Sequence, residues 1–125
     1  MPVKPGLSAD VELVVTDADT ALALRSGAVP VLATPRLIAL CEEASMRAVV
    51  AELDPALTTV GMKVQLDHLA PTPVGQSVVA EATVERVNGR RVTFTVSVND
   101  DRGLVAVGRI TRVIVDRERF MDRTR

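Results

Sequence analysis

Alternating apolar and polar residues mark five segments of the chain as β-strands. Alternation places every second side chain on the same face of a sheet, as in "ADVELVVT" at residues 9–16. The other four segments are predicted at residues 60–70, 76–87, 90–99 and 104–116. The last three are separated by "NG" at 88–89 and "DDRG" at 100–103, which are typical of hairpin turns. We therefore predict consecutive antiparallel strands in the second half of the chain.

A different periodicity predicts one long helix at residues 34–53. In "TPRLIALCEEASMRAVVAEL" the apolar side chains recur every three or four positions. Thr34 is a favourable N-cap residue, and Pro35 suits the first helical position because no N–H is needed there. A short helix is predicted at 17–27, which opens with Asp and ends in Gly, and the charged tail at 117–125 predicts one helical turn.

These elements predict a fold class. A single long helix with one apolar face needs a surface to cover, and about five antiparallel strands supply it. We expect an α+β fold, with one long central helix wrapped by a curved antiparallel sheet, in a single domain spanning residues 1–125. One helix leaves the edges of the sheet uncovered, so we also expect two chains to pair edge to edge as a homodimer.

Composition narrows the possible functions. Apolar residues make up 47% of the chain, enough for a core, and the net charge of −1 leaves little positive charge for binding nucleic acid. No apolar run reaches the ~18 residues of a membrane span, and the N-terminal segment lacks the apolar stretch of a secretory signal. Cys41 is the sole cysteine, which excludes an internal disulfide and suits packing on the apolar helix face. We expect a cytoplasmic protein with no membrane or nucleic-acid partner.

The two neighbouring glutamates of the long helix differ in their surroundings, because successive helical residues point about 100° apart. Glu43 precedes Arg47 by one turn, which favours a surface ion pair. Glu42 has no cationic neighbour one turn away and borders the apolar face. It is either a solvated residue at the edge of that face or a carboxylate turned into a cleft, where burial would raise its pKa unless a donor bonds it. Helix geometry alone leaves both interpretations open.

His68 is the only histidine, and it continues the apolar face that Val64 and Leu66 form on the strand at 60–70. It is therefore either a packed core or interface residue or a catalytic group. Thr34 is explained by its capping role, but free N–H groups at a helix start also suit an oxyanion.

Four further residues have two interpretations each. Gly61 and Gly75 mark either a turn or bulge, or a close approach of backbone to a ligand. Arg90 and Arg91 come directly after the predicted "NG" turn. They are either solvated strand residues or contacts for phosphate groups. No glycine-rich phosphate loop, serine nucleophile motif or metal-binding histidine pattern accompanies them.

Taken together, these residues form an ordered set that resembles a known family. Thr34 in "ATP" is followed eight residues later by Glu42, then by "VGMKVQLDHLAPTPVG" at residues 60–75 and "NGRRVTFTV" at residues 88–96. Over residues 30–115 the chain resembles the hotdog-fold acyl-CoA thioesterases, and most closely their fluoroacetyl-CoA thioesterase-like branch.

The resemblance implies a dimer with acyl-CoA sites at its interface. We expect no cofactor apart from the coenzyme A of the substrate, and the sequence leaves open whether dimers pair into tetramers. Carried over by position, it implies that Thr34, Glu42 and His68 are catalytic and that the Gly61 N–H helps bind the thioester carbonyl. Glu42 would act on water as a base or attack the thioester directly. His68 would hold Glu42 or the water, and Thr34 would orient one of them.

One departure from the family concerns the substrate. The specialised fluoroacetyl-CoA enzymes carry phenylalanines over the pocket, and "ALALRSGAVPVL" before Thr34 has none. We therefore expect another small to medium acyl group. Two alternatives remain open from the sequence, namely a non-catalytic acyl-CoA or lipid-binding hotdog module and a hotdog hydratase or dehydratase.

Overall fold

The computed structural model describes residues 3–125, so the first two residues of the N-terminal segment lie outside the described part. In chain order the elements are strand β1 (Ser8–Val14), a 3-10 turn (Asp17–Asp19), helix α1 (Ala21–Leu24), helix α2 (Thr34–Val50), strand β2 (Leu57–His68), strand β3 (Ser77–Asn88), strand β4 (Arg91–Asp100), strand β5 (Gly103–Asp116) and helix α3 (Arg117–Asp122). The five predicted strands, the long helix and the C-terminal helical turn are confirmed.

The five strands form one antiparallel sheet in the order β1-β3-β4-β5-β2. The hairpin turns predicted at "NG" and "DDRG" connect β3 to β4 and β4 to β5. β1 and β2 are the edge strands, and β2 pairs with β5 alone among the described strands. The long β2 therefore presents an unpaired edge.

The core lies between α2 and one face of the sheet. The helix buries Leu37, Leu40 and Cys41, and the sheet meets them with Phe94 and Ile110. The predicted apolar face of the long helix is thus the buried face, and the α+β arrangement is confirmed. Burial raises the pKa of the Cys41 thiol to about 12, with the Glu42 charge adding to the effect, so Cys41 is a packing residue.

The structure corrects two local predictions about helices. The segment 17–27 folds as a 3-10 turn and a four-residue helix, which Arg25 ends in the left-handed conformation (φ 59°) before Gly27 is reached. The N-cap of α2 is Ala33 and not Thr34, and α2 ends at Val50. The capping prediction is wrong because the Thr34 backbone is already helical and its hydroxyl bonds a side chain from β2.

Candidate active site

Thr34 and His68 meet where the start of α2 faces the end of β2. A hydrogen bond of 2.8 Å joins Thr34 Oγ1 to His68 Nδ1, with the donor set by the histidine tautomer. His68 Nε2 is buried and has no hydrogen-bond partner among residues 3–125. The backbone of Ala70 lies close enough to favour a protonated ring without making a standard hydrogen bond, and burial outweighs it and lowers the His68 pKa.

A cleft of about 310 Å³ opens beside this pair. Its walls are small or aliphatic residues from the segment before α2 and from the residues after β2, with no aromatic side chain among them. The lining consists of Ala21, Ser26, Gly27, Val29, Val31, Leu32, Thr34, His68, Leu69, Ala70 and Pro71. No phenylalanine lies among these lining residues, which agrees with the absence of phenylalanine from "ALALRSGAVPVL".

Glu42 is held by a cation from the sheet. Arg112 on β5 donates from Nη1 to Glu42 Oε2 at 2.8 Å, while its Nε and Nη2 donate to Thr59 Oγ1 and to the Thr59 carbonyl, each at 2.8 Å. The Arg112 side chain is only 6% exposed and that of Glu42 is 32% exposed. Burial lowers the Arg112 pKa, and the charge of Glu42 opposes part of that shift. Among residues 3–125, no donor is bonded to Glu42 Oε1.

Gly61 lies directly against the Glu42 carboxylate. A Cβ built at Gly61 would stand 2.5 Å from Glu42 Oε2, so an alanine at this position would displace the carboxylate. Gly61 pairs with Arg112 and Lys63 pairs with Thr111, which leaves Met62 as a β-bulge. The bulge interpretation therefore applies at Gly61, and the close approach that the structure shows is to the Glu42 side chain, while Gly75 occupies a turn with φ 95°.

The bulge decides which way His68 points. His68 follows Gly61 by seven positions, and strict alternation over an odd number of positions would put the two on opposite faces of the sheet. Because Met62 adds one residue, Gly61 and His68 pair with Arg112 and Ala106, which lie six residues apart on one face of β5. Gly61, Val64, Leu66 and His68 therefore share the face toward α2, as predicted for the last three.

The site residues thus form two separate groups within one chain. Glu42 follows Thr34 by eight helical positions, which corresponds to a rise of about 12 Å. With the bulge counted as one position, the β2 span from Gly61 to His68 is about 20 Å. No hydrogen bond joins His68 to Glu42 within residues 3–125. The expectation that His68 holds Glu42 is therefore not met inside one chain. Glu43, by contrast, forms the predicted surface pair with Arg47 at 2.7 Å.

Arg90 lies in the β3–β4 turn and Arg91 is the first residue of β4, and their surroundings differ. Arg91 pairs with Val113, whose side of the sheet is opposite to that of Arg112. Arg90 lines a cavity with residues at the end of β5 and in α3. Sequence reasoning missed Arg112, although an arginine between Ile110 and Ile114 at alternate positions of an apolar strand was a usable signal.

Comparison with solved structures defines the class of this fold. The structure aligns with a hot-dog-like protein from Thermanaerovibrio acidaminovorans over 96% of this chain and 89% of the other, at a TM-score of 0.88 and 26% identity. It also aligns with a mutant of the fluoroacetyl-CoA-specific thioesterase FlK in complex with fluoroacetate and CoA, over 94% of this chain and 99% of the other, at a TM-score of 0.89 and 28% identity. The fold is the hotdog fold, as expected.

The sequence comparisons give the family. The family model described as fluoroacetyl-CoA-specific thioesterase matches residues 15–118. The fluoroacetyl-CoA thioesterase of Streptantibioticus cattleyicolor is 32% identical over 95 residues, which cover 76% of this chain and 68% of that protein. The chain belongs to the fluoroacetyl-CoA-specific thioesterase family, and the expectation of an acyl-CoA thioesterase, a thioester hydrolase, is confirmed at the level of that family.

Two structural observations bear on metals and membranes. Among the described residues, no group of three or more His, Cys, Asp and Glu side chains is placed to hold a metal ion. In the same part of the chain, every helix is too short or too polar to cross a membrane.

The buried arginine predicts a difference between two ion pairs of β5. Arg112→Met leaves Glu42 and Thr59 without their donor, and we expect it to lower the free energy of unfolding by about 3 kcal/mol. Arg109→Met is the matched control, because the Arg109–Glu85 pair is exposed to solvent and should contribute little to stability. Urea denaturation of both variants measures the two losses. Equal losses would show that the Arg112 cluster is not a stabilising unit.

The lowered pKa of His68 predicts a loss of stability in mild acid. The unfolded chain binds a proton at the normal histidine pKa of about 6.5, whereas the folded chain resists protonation, so the unfolded state carries more protons as the pH falls. We expect the free energy of unfolding to drop between pH 7 and pH 5, and to drop less in His68→Asn. Urea denaturation at the two pH values measures this difference. An equal drop in native and variant proteins would contradict the buried, neutral imidazole.

Proposed function

We propose that this protein hydrolyses a small to medium acyl-CoA to the free acid and CoA at a site shared by two subunits. The observation that carries the proposal is the separation of the candidate residues into two groups, Thr34 with His68 and Glu42 with Gly61, on one face of an edge strand. Neither group alone holds both a carboxylate and an imidazole. A second copy of the chain can supply the missing group.

The unpaired edge of β2 supports this assembly. If two copies of β2 pair antiparallel about a two-fold axis near residues 64 and 65, Gly61 of one subunit lies close to His68 of the other. Both residues already face the α2 side, so the groups meet on the same face of the combined sheet. Each dimer then contains two equivalent sites, in agreement with the dimer expected from the sequence. Further pairing into tetramers is not needed to complete a site.

In the proposed mechanism, Glu42 acts on water as a general base, or it attacks the thioester carbonyl itself, which expels the CoA thiolate and leaves a transient anhydride that water hydrolyses to the free acid and Glu42. Arg112 fixes Oε2 of the carboxylate, so Oε1 is the oxygen that faces the reacting atom. The Gly61 N–H helps stabilise the negative charge that develops on the carbonyl oxygen, where one such donor is typically worth about 10²–10³ in rate. In this proposal both groups act from fixed positions. Arg112 holds the carboxylate of Glu42, and the β-bulge sets the position of Gly61.

The Thr34–His68 pair contributes the proton chemistry on the other side of the site. Thr34 bonds Nδ1 and thereby orients the ring, so the buried Nε2, which has no hydrogen-bond partner among residues 3–125, is the nitrogen proposed to exchange the proton. A ring whose pKa is lowered is neutral at pH 7 and is therefore able to accept a proton. Coenzyme A enters as part of the substrate, and the proposed steps use only protein groups and water.

The aliphatic cleft supports the proposed acyl group. The walls beside His68 are built from Val29, Val31 and Leu69 without an aromatic cover, so the cleft suits a short saturated chain. The relatives named as fluoroacetyl-CoA thioesterases therefore support the type of reaction, thioester hydrolysis. The cleft supports a different acyl group, a short saturated chain instead of fluoroacetyl.

A thiol-release assay over a panel of acyl-CoA esters tests this function. We expect release of CoA from acetyl- to octanoyl-CoA with a maximum among the short to medium chains, and no strong preference for fluoroacetyl-CoA over acetyl-CoA. Crotonyl-CoA hydration, followed by loss of its enoyl absorbance, tests the hydratase alternative in parallel. Failure to release CoA from every saturated ester would overturn the proposed function.

A further inference from the structure

A cavity lined by arginines lies at the end of the sheet next to α3. It has a volume of about 570 Å³. Arg90 reaches it from the β3–β4 turn, Arg119 reaches it from α3, and Arg123 reaches it from the position directly after α3. Three separate side chains from two parts of the chain thus bring positive charge to one concave surface. The protein as a whole has a net charge of −1, so this concentration of charge is local.

The positive charge of this cavity exceeds the negative charge that the protein places there. Within residues 3–125, none of these three arginines has a carboxylate oxygen within 4.0 Å, whereas five other arginines do. The cavity contains one carboxylate, Asp116, and its Oδ1 accepts a hydrogen bond from the backbone N–H of Arg119 at the start of α3. Unpaired guanidinium groups in a concave site are suited to bind phosphate oxygens.

The cavity also has an apolar wall. Ile114, Val115 and Phe120 line it beside the arginines, and the Arg123 guanidinium lies 5.8 Å from the centroid of the Phe120 ring. A small inorganic anion would make no favourable contact with these apolar side chains. A ligand that carries both phosphates and an organic base matches the two kinds of surface.

The cavity lies within reach of the proposed reaction centre. Leu57, which lines it, precedes Gly61 by four residues of β2, a distance of about 13 Å along the strand. Ile114 is two residues from Arg112 on β5 and shares its face. A ligand bound by the arginines can therefore extend along β2 toward Glu42.

We infer that this cavity binds the phosphorylated adenosine end of coenzyme A, with Arg90, Arg119 and Arg123 on its phosphate groups. The inference rests on the proposed function and extends it, because it assigns a binding site to the part of the substrate that does not react. Arg90 in the β3–β4 turn lines this site, whereas Arg91 at the start of β4 lies on the side of the sheet opposite to Arg112. The extended pantetheine arm runs from this site toward the thioester at Glu42.

The test compares Arg119→Gln/Arg123→Gln with the native protein in binding and in hydrolysis. Isothermal calorimetry gives Kd for CoA, and thiol release gives KM for an acyl-CoA and for the corresponding acyl-pantetheine, which lacks the nucleotide. We expect Kd for CoA and KM for acyl-CoA to rise about tenfold in the double variant, with kcat unchanged, because charge-assisted hydrogen bonds are lost. The kinetics with acyl-pantetheine should not change. Arg102→Gln, in the β4–β5 turn at the opposite end of the sheet, is the matched control and should bind CoA like the native protein.

An unchanged Kd for CoA in the double variant would overturn the inference, as would an equal loss of activity with acyl-pantetheine. A native protein that binds CoA but hydrolyses no thioester would overturn the proposed function alone, and the comparison of Kd values would still decide the site. Binding that weakens for 3′-dephospho-CoA in the native protein but not in the double variant would support an arginine contact to the 3′-phosphate. A native protein that binds no CoA would overturn the inference directly.

Discussion

Glu42→Gln is expected to lower kcat for acyl-CoA hydrolysis by about 10³-fold, because the amide cannot act as a base or nucleophile. The substitution keeps the size of the side chain and an oxygen that accepts from Arg112, so the fold should survive. Because the amide leaves the buried Arg112 without its counter-charge, we expect the free energy of unfolding to fall by up to about 3 kcal/mol. Thiol release and urea denaturation of the same preparation separate the two effects.

Glu43→Gln is the matched control for this prediction. The two glutamates are neighbours on the same helix, but Glu43 pairs with Arg47 on the surface, where its side chain is 39% exposed. Such a pair is typically worth less than about 1 kcal/mol and takes no part in the proposed chemistry. We expect kcat to remain within about twofold of the native value. Small, equal effects from both substitutions would refute the assignment of Glu42.

Gly61→Ala is expected to reduce kcat by about 10²-fold. The added Cβ would lie 2.5 Å from Glu42 Oε2, closer than two such atoms can approach, so the carboxylate must move off its position on Arg112. A displacement of about 1 Å in a catalytic group is enough for a loss of this size. The position does not require a left-handed backbone, so alanine should not strain the main chain.

A double-mutant cycle tests the cause of this loss. If alanine at position 61 acts by displacing the carboxylate, it should reduce the residual activity of Glu42→Gln much less than it reduces native activity. A full and independent 10²-fold loss in the Glu42→Gln background would indicate that the added Cβ disturbs the substrate or the approach to the Gly61 N–H, and not the carboxylate.

Most of the fold could be predicted from local patterns, because strand alternation and hairpin turns depend on neighbouring residues. The strand at 104–116 and the turn at "NG" are examples, and the structure places both within a residue or two. The prediction failed where side chains from distant segments compete with a local preference. Threonine is a residue type that often caps helices, but the hydroxyl of Thr34 is hydrogen-bonded to His68, which lies 34 positions later in the chain.

The candidate site was predictable only in part, for the same physical reason. The difference between Glu42 and Glu43 follows from helix geometry, and the Glu43–Arg47 pair lies within one turn. The partner of Glu42 is Arg112, 70 residues later, and no local periodicity connects them. The face of His68 also depends on the bulge at Met62, which alternation alone does not reveal. The catalytic roles of Thr34, Glu42 and His68 remain a proposal.

A mixed-dimer experiment tests the shared site most directly. Glu42→Gln and His68→Ala chains, each inactive as its own dimer, are co-expressed with different affinity tags, and the mixed dimer is purified through both. One of its two sites then combines an intact Glu42 with an intact His68 from the other subunit, so we expect about half of the native activity per dimer. A mixed dimer as inactive as its parents would show that each site lies within one chain and would contradict the shared site.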